Sequence, residues 1–174
     1  MWFIGEHSHM KHVWLRWNKS GANTTSGDMV LNQDFREFIQ SLNNNQVRYL
    51  IIGGYAVAFH GHPRYTKDLD VWVELSQENA ARLVTALAEF GFGSLGLQIS
   101  DFLEPNQVIQ LGYPPNRIDV IMTPKGVDFV TCFDSRVIVE IEGVPYNFID
   151  RESLLQNKRA TGRYQDMADV ENLE

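Results

Sequence analysis

An apolar run that ends in two glycines limits how this chain can fold. Residues 47–52 form a mostly apolar segment of strand length, which stops at Gly53 and Gly54. Such a run is typical of a strand that is buried on both faces. A short helix is predicted over residues 55–60, and a second strand over residues 69–74. The segment therefore predicts a strand–helix–strand unit with a glycine turn after its first strand.

Hydrophobic periodicity predicts the remaining elements. The first helix is expected over residues 33–43, and a helix capped by Ser76 is expected to run to Phe90. Four further strands are expected over residues 107–111, 117–122, 136–142 and 144–149. Two short C-terminal helices are expected over residues 152–161 and 164–173. We therefore expect an α/β (α+β) protein, in which a mixed β-sheet is flanked by helices and followed by short C-terminal helices.

The length of 174 residues suits a single domain, and the first part of the chain differs from the rest. Residues 1–28 hold three of the four tryptophans and end in a polar stretch that is typical of a linker. We expect an atypical N-terminal extension over residues 1–28 and one domain over residues 29–174. The alternative is an arm that packs on the domain or on a partner.

The composition excludes several classes of protein. No run of about 18 apolar residues is present, so no membrane-spanning helix is expected. The single cysteine, Cys132, excludes an internal disulfide and a cysteine-rich zinc site, and the cytoplasm is the simplest location. The net charge of −7 argues against a binder of long RNA, because neutralisation of phosphates requires basic residues. A protein with this charge can still bind phosphates if a metal ion supplies the positive charge.

Three aspartates are the candidates for metal binding and catalysis. Asp68 and Asp70 lie two residues apart in a predicted strand, so both side chains project from one face. Their repulsion is costly unless a cation lies between them, and magnesium commonly binds carboxylates together with substrate phosphates. Asp119 lies between apolar residues, and it could bind a second magnesium or accept the proton of an attacking hydroxyl. Solvent-facing strand acids are the alternative for all three.

Residues near these acids are candidates for nucleotide binding. Gly53 and Gly54 would let backbone N–H groups approach an anion, beside the positive end of the following helix. Arg64 and Lys67 could meet phosphate oxygens, and Thr66 could hydrogen-bond the nucleotide. The alternatives are a tight turn, solvated loop charges and the start of a strand.

Two further candidates have equally plain structural alternatives. Lys158 is expected to contact phosphate, although it and Arg163 could instead pair with Asp166 and Asp169 across a turn. His60 could orient a phosphate, or it could be satisfied by backbone groups at the end of a helix.

Taken together, these residues resemble the nucleotidyltransferase superfamily of DNA polymerase β. The resemblance begins with Gly53-Gly54-Tyr55-Ala56 and continues through His60-Gly61, Arg64, Thr66 and Asp68-Leu69-Asp70. The tail from Asn157 through Asp166, Asp169 and Leu173 is similar to the C-terminal helical motif of one small prokaryotic branch. That branch includes minimal nucleotidyltransferases and abortive-infection-type toxin nucleotidyltransferases. The resemblance covers roughly residues 31–173.

The resemblance implies the nucleotidyltransferase fold, with Gly53 and Gly54 against the triphosphate. It implies that Asp68 and Asp70 bind magnesium and that Asp119 is the third carboxylate. Two magnesium ions are expected, and manganese could replace them. The implied reaction moves a nucleoside monophosphate from a triphosphate such as ATP to a hydroxyl acceptor and releases pyrophosphate.

The acceptor and the partners stay open at this level. The roughly 146 residues after position 28 leave little room for the helical domain that grips the acceptor in larger members. The acceptor site must then come from the C-terminal helices, from a second subunit of a homodimer or from a partner such as an antitoxin. A small alcohol, a protein hydroxyl and an RNA end are all candidate acceptors. The alternative function is a non-catalytic member that serves as a nucleotide sensor or a protein-interaction module.

Overall fold

A mixed β-sheet lies at the centre of the fold. The computed structural model describes residues 5–7, 10–13 and 32–174, and within these ranges the sheet has eight strands in the order β1-β2-β5-β6-β4-β3-β8-β7. In chain order, the strands are β1 (Gly5–His7), β2 (Met10–Val13), β3 (Tyr49–Ile51), β4 (Asp68–Val73), β5 (Val108–Leu111), β6 (Arg117–Ile121), β7 (Val137–Ile141) and β8 (Val144–Phe148). Strand β4 lies between β3, which is antiparallel to it, and β6, which is parallel to it.

Six α-helices accompany the sheet in the described part of the chain. They are α1 (Gln33–Asn44), α2 (Gly53–Phe59), α3 (Gln77–Leu87), α4 (Phe129–Asp134), α5 (Arg151–Thr161) and α6 (Tyr164–Leu173). None of the helices described is both long and apolar enough to cross a membrane. The predicted mixed sheet with flanking helices and short C-terminal helices is confirmed.

Among residues 32–174, the predicted elements are close to the observed ones, and the main differences concern three helices. Helix α2 begins at Gly53 rather than near Tyr55, because Ile52 is the last extended residue and the chain turns directly after it. Helix α3 ends at Leu87 and continues as a π turn, Ala88–Phe92, instead of running as an α-helix to Phe90. Helix α4 was not predicted, because its six residues are too few to show a helical period.

The core holds the sheet and the helices together. The apolar face of α1 is completely buried through Phe35, Phe38, Ile39 and Leu42, as its periodicity predicts. In β4, Leu69 and Val71 are also completely buried, whereas Asp68 and Asp70 alternate with them and are only half-buried. Because side chains alternate along a strand, the two acids point away from the core that Leu69 and Val71 enter.

The predicted N-terminal extension contributes two of the strands. Strand β2 pairs in parallel with β5, and β1 pairs with β2 in the antiparallel sense. The expected domain boundary near Met29 lies outside the described residues, as do Trp2, Trp14 and Trp17.

Candidate active site

Four charged side chains form a compact array on one face of the sheet. Strands β4 and β6 are paired so that Asp68 is opposite Arg117 and Asp70 is opposite Asp119. Residues two apart on a strand share a face, and paired residues on adjacent strands are neighbours. The three predicted acids are therefore brought together, with Arg117 at the fourth position of the array.

The guanidinium of Arg117 bridges two of the three acids. Its Nη2 donates to Asp68 Oδ2 at 2.6 Å, and its Nε donates to Asp119 Oδ1 at 2.8 Å. A third bond runs from Nη2 to Asp119 Oδ2 at 3.1 Å. Arg117 was not among the predicted site residues, although Arg117 and Asp119 have the same two-residue spacing that places Asp68 and Asp70 on one face.

Asp119 is the most enclosed of the three acids. Its relative exposure is 8%, and Gln110 on β5 donates to its Oδ2 at 3.3 Å. Together with the bonds from Arg117, this contact occupies both carboxylate oxygens of Asp119. The register explains the contact, since Gln110 is paired with Asp119 across β5 and β6.

Asp70 has a carboxyl whose pKa is strongly raised. Burial raises the pKa of its carboxyl to about 7, and repulsion from Asp119 and Asp68 adds to the effect. Lys158 and Arg163 lower the pKa from a distance, but no lysine or arginine of residues 32–174 forms an ion pair with Asp70. An additional cation beside Asp70 would therefore favour its charged form.

The donor set fits a magnesium ion, although the carboxylates do not stand ready to hold one. Asp68 Oδ1 is buried and has no hydrogen-bond partner among the described residues. Such an orphaned acceptor, beside a carboxyl with a raised pKa, is the environment that a hard cation would relieve. Yet across residues 32–174, no three carboxylate, imidazole or thiol groups are arranged to hold a metal ion as they stand. The guanidinium of Arg117 instead takes up oxygens of Asp68 and Asp119 that a metal would use.

The glycine turn lies directly against the acids. Gly53 has a φ of +64°, and a Cβ atom placed on it would lie 1.9 Å from Asp70 Oδ2. A Cβ atom on Gly54 would lie 2.6 Å from Thr66 Oγ1 and 3.4 Å from Arg64 Nη1. Both positions therefore require glycine, and the backbone of the turn is in close contact with the residues around it.

Arg64 and Thr66 flank this turn, whereas Lys67 points into solvent. The guanidinium of Arg64 is fixed by Asp169, through Nε at 2.9 Å and Nη2 at 3.1 Å. Its Nη1 is the group that approaches Gly54. The hydroxyl of Thr66 donates to the backbone carbonyl of Asp68 at 3.3 Å. Lys67 is exposed, and its charge lowers the pKa of Asp68 against the larger effect of burial.

Lys158 lies in a buried ion cluster formed by the two C-terminal helices. Its Nζ is 2.8 Å from Asp166 Oδ1 and 2.8 Å from Asp169 Oδ2, and all three side chains are almost completely buried. Arg163 pairs with the other oxygen of Asp166 at 2.6 Å. Of the two alternatives for Lys158, the structure therefore contains the pairing with Asp166 and Asp169.

The arginine and lysine partners keep these two aspartates charged. Burial alone would raise the pKa of Asp166, but hydrogen bonds from Arg163 and Lys158 outweigh it and hold the pKa below its usual value. The pKa of Asp169 is lowered in the same way, since hydrogen bonds from Lys158 and Arg64 outweigh the effect of burial. The cluster thus connects α5 and α6 to the arginine beside the glycine turn.

His60 has the backbone contact that its position at a helix end suggested. Its Nε2 lies 2.7 Å from the carbonyl oxygen of Ile149. The single cysteine, Cys132, is buried and free.

Comparison with solved structures identifies the fold. A candidate nucleotidyltransferase from Thermotoga maritima matches with a TM-score of 0.54 and 17% identity, over 79% of this chain and 88% of that chain. An antigenic nucleotidyltransferase-like protein from Paracoccidioides brasiliensis matches with a TM-score of 0.49 and 20% identity, over 79% of this chain and 72% of that chain. No protein-family profile and no curated protein matches the sequence. The first likeness shows that the chain has the nucleotidyltransferase fold.

Proposed function

We propose that this chain is a magnesium-dependent nucleotidyltransferase. In this reaction, a hydroxyl group of the acceptor attacks the α-phosphorus of a nucleoside triphosphate. The bond between that phosphorus and the bridging oxygen breaks, and pyrophosphate leaves. The acceptor gains a nucleoside monophosphate and loses its hydroxyl proton.

The observation that carries this proposal is the convergence of Asp68, Asp70 and Asp119 beside a glycine turn. Three carboxylates on one face of two paired strands are costly unless a cation neutralises them. The raised pKa of Asp70 and the orphaned oxygen of Asp68 both indicate such a cation. The glycine turn brings backbone directly against Asp70, an approach that a side chain at Gly53 would prevent.

Asp68 and Asp70 would hold the metal, with Asp119 as the third carboxylate. When bound, magnesium would neutralise phosphate charge and polarise the oxygens at the reacting phosphorus. Asp119 is also the candidate to accept the proton of the attacking hydroxyl, at one of the two oxygens that now accept hydrogen bonds from Arg117. Two magnesium ions, or manganese in their place, would suit three carboxylates.

Several backbone and side-chain donors could bind the triphosphate. The N–H groups of Gly53 and Gly54 lie at the turn, and Arg64 presents Nη1 there while Asp169 fixes the rest of its guanidinium. Thr66 and exposed Lys67 are adjacent donors. We assign Lys158 an indirect role, since its Nζ is held between two buried carboxylates and orders the partner of Arg64.

A second candidate function is a non-catalytic protein of the same fold, which binds a nucleotide as a sensor or interaction module. The contacts of Arg117 favour it, because they occupy Asp68 and Asp119 with a protein cation. In either case the acceptor or partner is open, and a small alcohol, a protein hydroxyl and an RNA end remain candidates.

The test is a search for transferred nucleotide. The protein is incubated with magnesium and each labelled triphosphate in turn, with and without a cell extract. Mass spectrometry then looks for an added nucleoside monophosphate on the protein itself or on a component of the extract. Transfer that requires magnesium is the expected result.

Substitutions separate the two candidate functions. Asp68→Asn and Asp70→Asn should each reduce transfer by at least about a hundredfold, since each removes a carboxylate that neutralises charge at the reacting phosphorus. Asp134→Asn, which removes an exposed acid at the end of α4, is the matched control and should retain activity. Nucleotide binding without transfer to any acceptor would favour the sensor. Unchanged transfer by both site variants would contradict the assignment of these acids.

A further inference from the structure

We propose that Arg117 is a built-in counterion, which holds the cation position of the free protein and leaves it when a metal–nucleotide complex binds. The inference rests on the proposed function, because it concerns the metal at the same carboxylates. A counterion in this position explains why three acids converge although, within residues 32–174, no group of three ligands is arranged to hold a metal ion.

The guanidinium of Arg117 lies among the carboxylate oxygens that a metal ion would use. Arg117 contacts Asp68 and Asp119, which lie diagonally across the array, so one cation touches two of the three negative charges. Its three hydrogen bonds take one oxygen of Asp68 and both oxygens of Asp119. A metal ion needs lone pairs on those same atoms, and an oxygen that accepts a short hydrogen bond from a guanidinium presents a weaker ligand. Metal and guanidinium therefore compete.

Arg117 neutralises the array incompletely. One positive charge faces three carboxylates, so the array keeps a formal excess of two negative charges when all are ionised. Asp68 Oδ1 has no hydrogen-bond partner within the described part of the chain, and Arg117 makes no ion pair with Asp70 there. A divalent ion would relieve both defects, whereas a guanidinium reaches only part of the array.

Arg117 also lies where its side chain can turn away from the array. It is the first residue of β6, and its side chain is 23% exposed. Within residues 32–174, its guanidinium bonds to Asp68 and Asp119 alone. Arg64 differs, because its partner Asp169 is 1% exposed and is also bound by Lys158. Of the two arginines at the site, Arg117 is therefore the one free to turn toward solvent.

Release of Arg117 would have two consequences in the proposed reaction. It would free the oxygens of Asp119 for a metal ion or for the proton of the acceptor hydroxyl. It would also leave a guanidinium at the open edge of the site, where it could meet an incoming phosphate. Without nucleotide, the arginine would keep a metal ion bound weakly.

The test measures manganese binding without nucleotide, by electron paramagnetic resonance of the free ion. Arg117→Gln should bind manganese at least about tenfold more tightly than the wild type, because the charged competitor is removed. Arg117→Lys should show a smaller gain in affinity. An ammonium group keeps the positive charge but cannot bond to both carboxylates in the geometry of the planar guanidinium.

Two controls separate competition from a general change in charge. Arg48→Gln removes an arginine that pairs with Glu74 at 2.6 Å, and it should leave manganese affinity unchanged. Lys125→Gln removes an exposed lysine outside the proposed site and changes the net charge equally, and it should leave manganese affinity unchanged.

Thermal unfolding gives a second readout that does not depend on activity. Metal-free Arg117→Gln should melt at a lower temperature than the wild type, since Asp68 and Asp119 lose their counterion. Saturating manganese should raise the melting temperature of the variant by more than that of the wild type. If Arg117→Gln fails to fold without metal, Arg117→Lys is compared with the wild type instead, both for manganese affinity and for the rise in melting temperature.

The outcomes distinguish this inference from the proposed function. Suppose that the wild type binds manganese and that both Arg117 variants bind it with equal or lower affinity. This result would overturn the counterion role of Arg117 and leave the proposed metal site standing. Absence of manganese and magnesium binding in every protein, with or without nucleotide, would overturn both. A gain in Arg48→Gln as large as that in Arg117→Gln would show a general effect of charge and would also overturn the inference.

Discussion

At the scale of single residues, the site depends on how closely Gly53 approaches Asp70. The positive φ of Gly53 turns the chain directly after β3, and its lack of a side chain lets the turn lie against Asp70 Oδ2. A side chain here would meet both a strained backbone and a carboxylate on a central strand. The two costs can be separated experimentally.

Gly53→Ala should lower the free energy of unfolding by about 2–4 kcal/mol, because it adds a clash to an unfavourable φ. Gly96→Ala is the matched control: Gly96 has the same φ of +64°, but a Cβ there meets nothing within 4 Å. It should cost only about 1 kcal/mol. Urea unfolding of both variants measures the difference, and equal losses would show that Asp70 does not crowd the turn.

The spacing of residues along the chain predicts some of the contacts in the site but not all of them. The two-residue spacing of Asp68 and Asp70 is sufficient to place both on one strand face, and the glycine pair indicates a close approach of backbone. Arg117 has the same spacing from Asp119, yet its role depends on the pairing of β4 with β6, which local sequence does not contain. Lys158 was expected at phosphate, but two acids on the next helix lie 2.8 Å from its ammonium group.

At the scale of elements, a buried ion cluster joins the two C-terminal helices. Lys158 lies in the last turn of α5, and Asp166 and Asp169 lie one helical turn apart on α6. Gly162 ends α5 in a left-handed conformation, which lets α6 return against it. The cluster then reaches beyond the helices through Arg64, which precedes β4.

Lys158→Met should destabilise the protein by about 3–5 kcal/mol, because it leaves two buried carboxylates without their shared cation. The control is Arg159→Met, whose partner Glu174 is exposed, and it should cost less than about 1 kcal/mol. Chemical denaturation of both variants provides the measurement. A Lys158 variant that is as stable as the wild type but binds triphosphate poorly would indicate a direct phosphate contact instead.

Element type was largely predictable where the hydrophobic pattern is long enough. The apolar face of α1 and the Ser76 cap of α3 agree with the structure, and so does the hairpin of β7 and β8. The short α4 and the π turn after α3 were not predictable in this way. The π turn contains Gly91, whose φ of +116° is not helical, and α4 has only six residues, too few to show a repeating pattern.

At the scale of the whole molecule, strand order assembles the site. Asp68 and Arg117 are separated by 49 positions along the chain, and the parallel pairing of β4 with β6 makes them neighbours. Strand β5 then adds Gln110 on the far side of Asp119. A mixed sheet could be inferred from the sequence, but its order results from long-range packing that no local pattern records.

The contribution of the buried ion cluster to the stability of the fold should fall in acid, because the pKa values of Asp166 and Asp169 are lowered. A carboxyl with a lowered folded-state pKa stabilises the protein above its unfolded value of about 4. That contribution is lost as the pH falls through the folded-state pKa. Urea unfolding between pH 2 and pH 6 should show a steeper loss for the wild type than for Lys158→Met. Parallel profiles would contradict the account of the cluster.

The central claim is that Asp68 and Asp70 hold a divalent ion against a triphosphate beside the glycine turn. The most direct measurement is a crystal structure of the protein with manganese and a non-hydrolysable nucleoside triphosphate, with the metal located by anomalous scattering. The account predicts an anomalous peak within about 2.5 Å of oxygens from both aspartates, with the phosphates beside Gly53 and Gly54. A bound triphosphate whose metal lies away from these carboxylates, or whose phosphates avoid the turn, would contradict it.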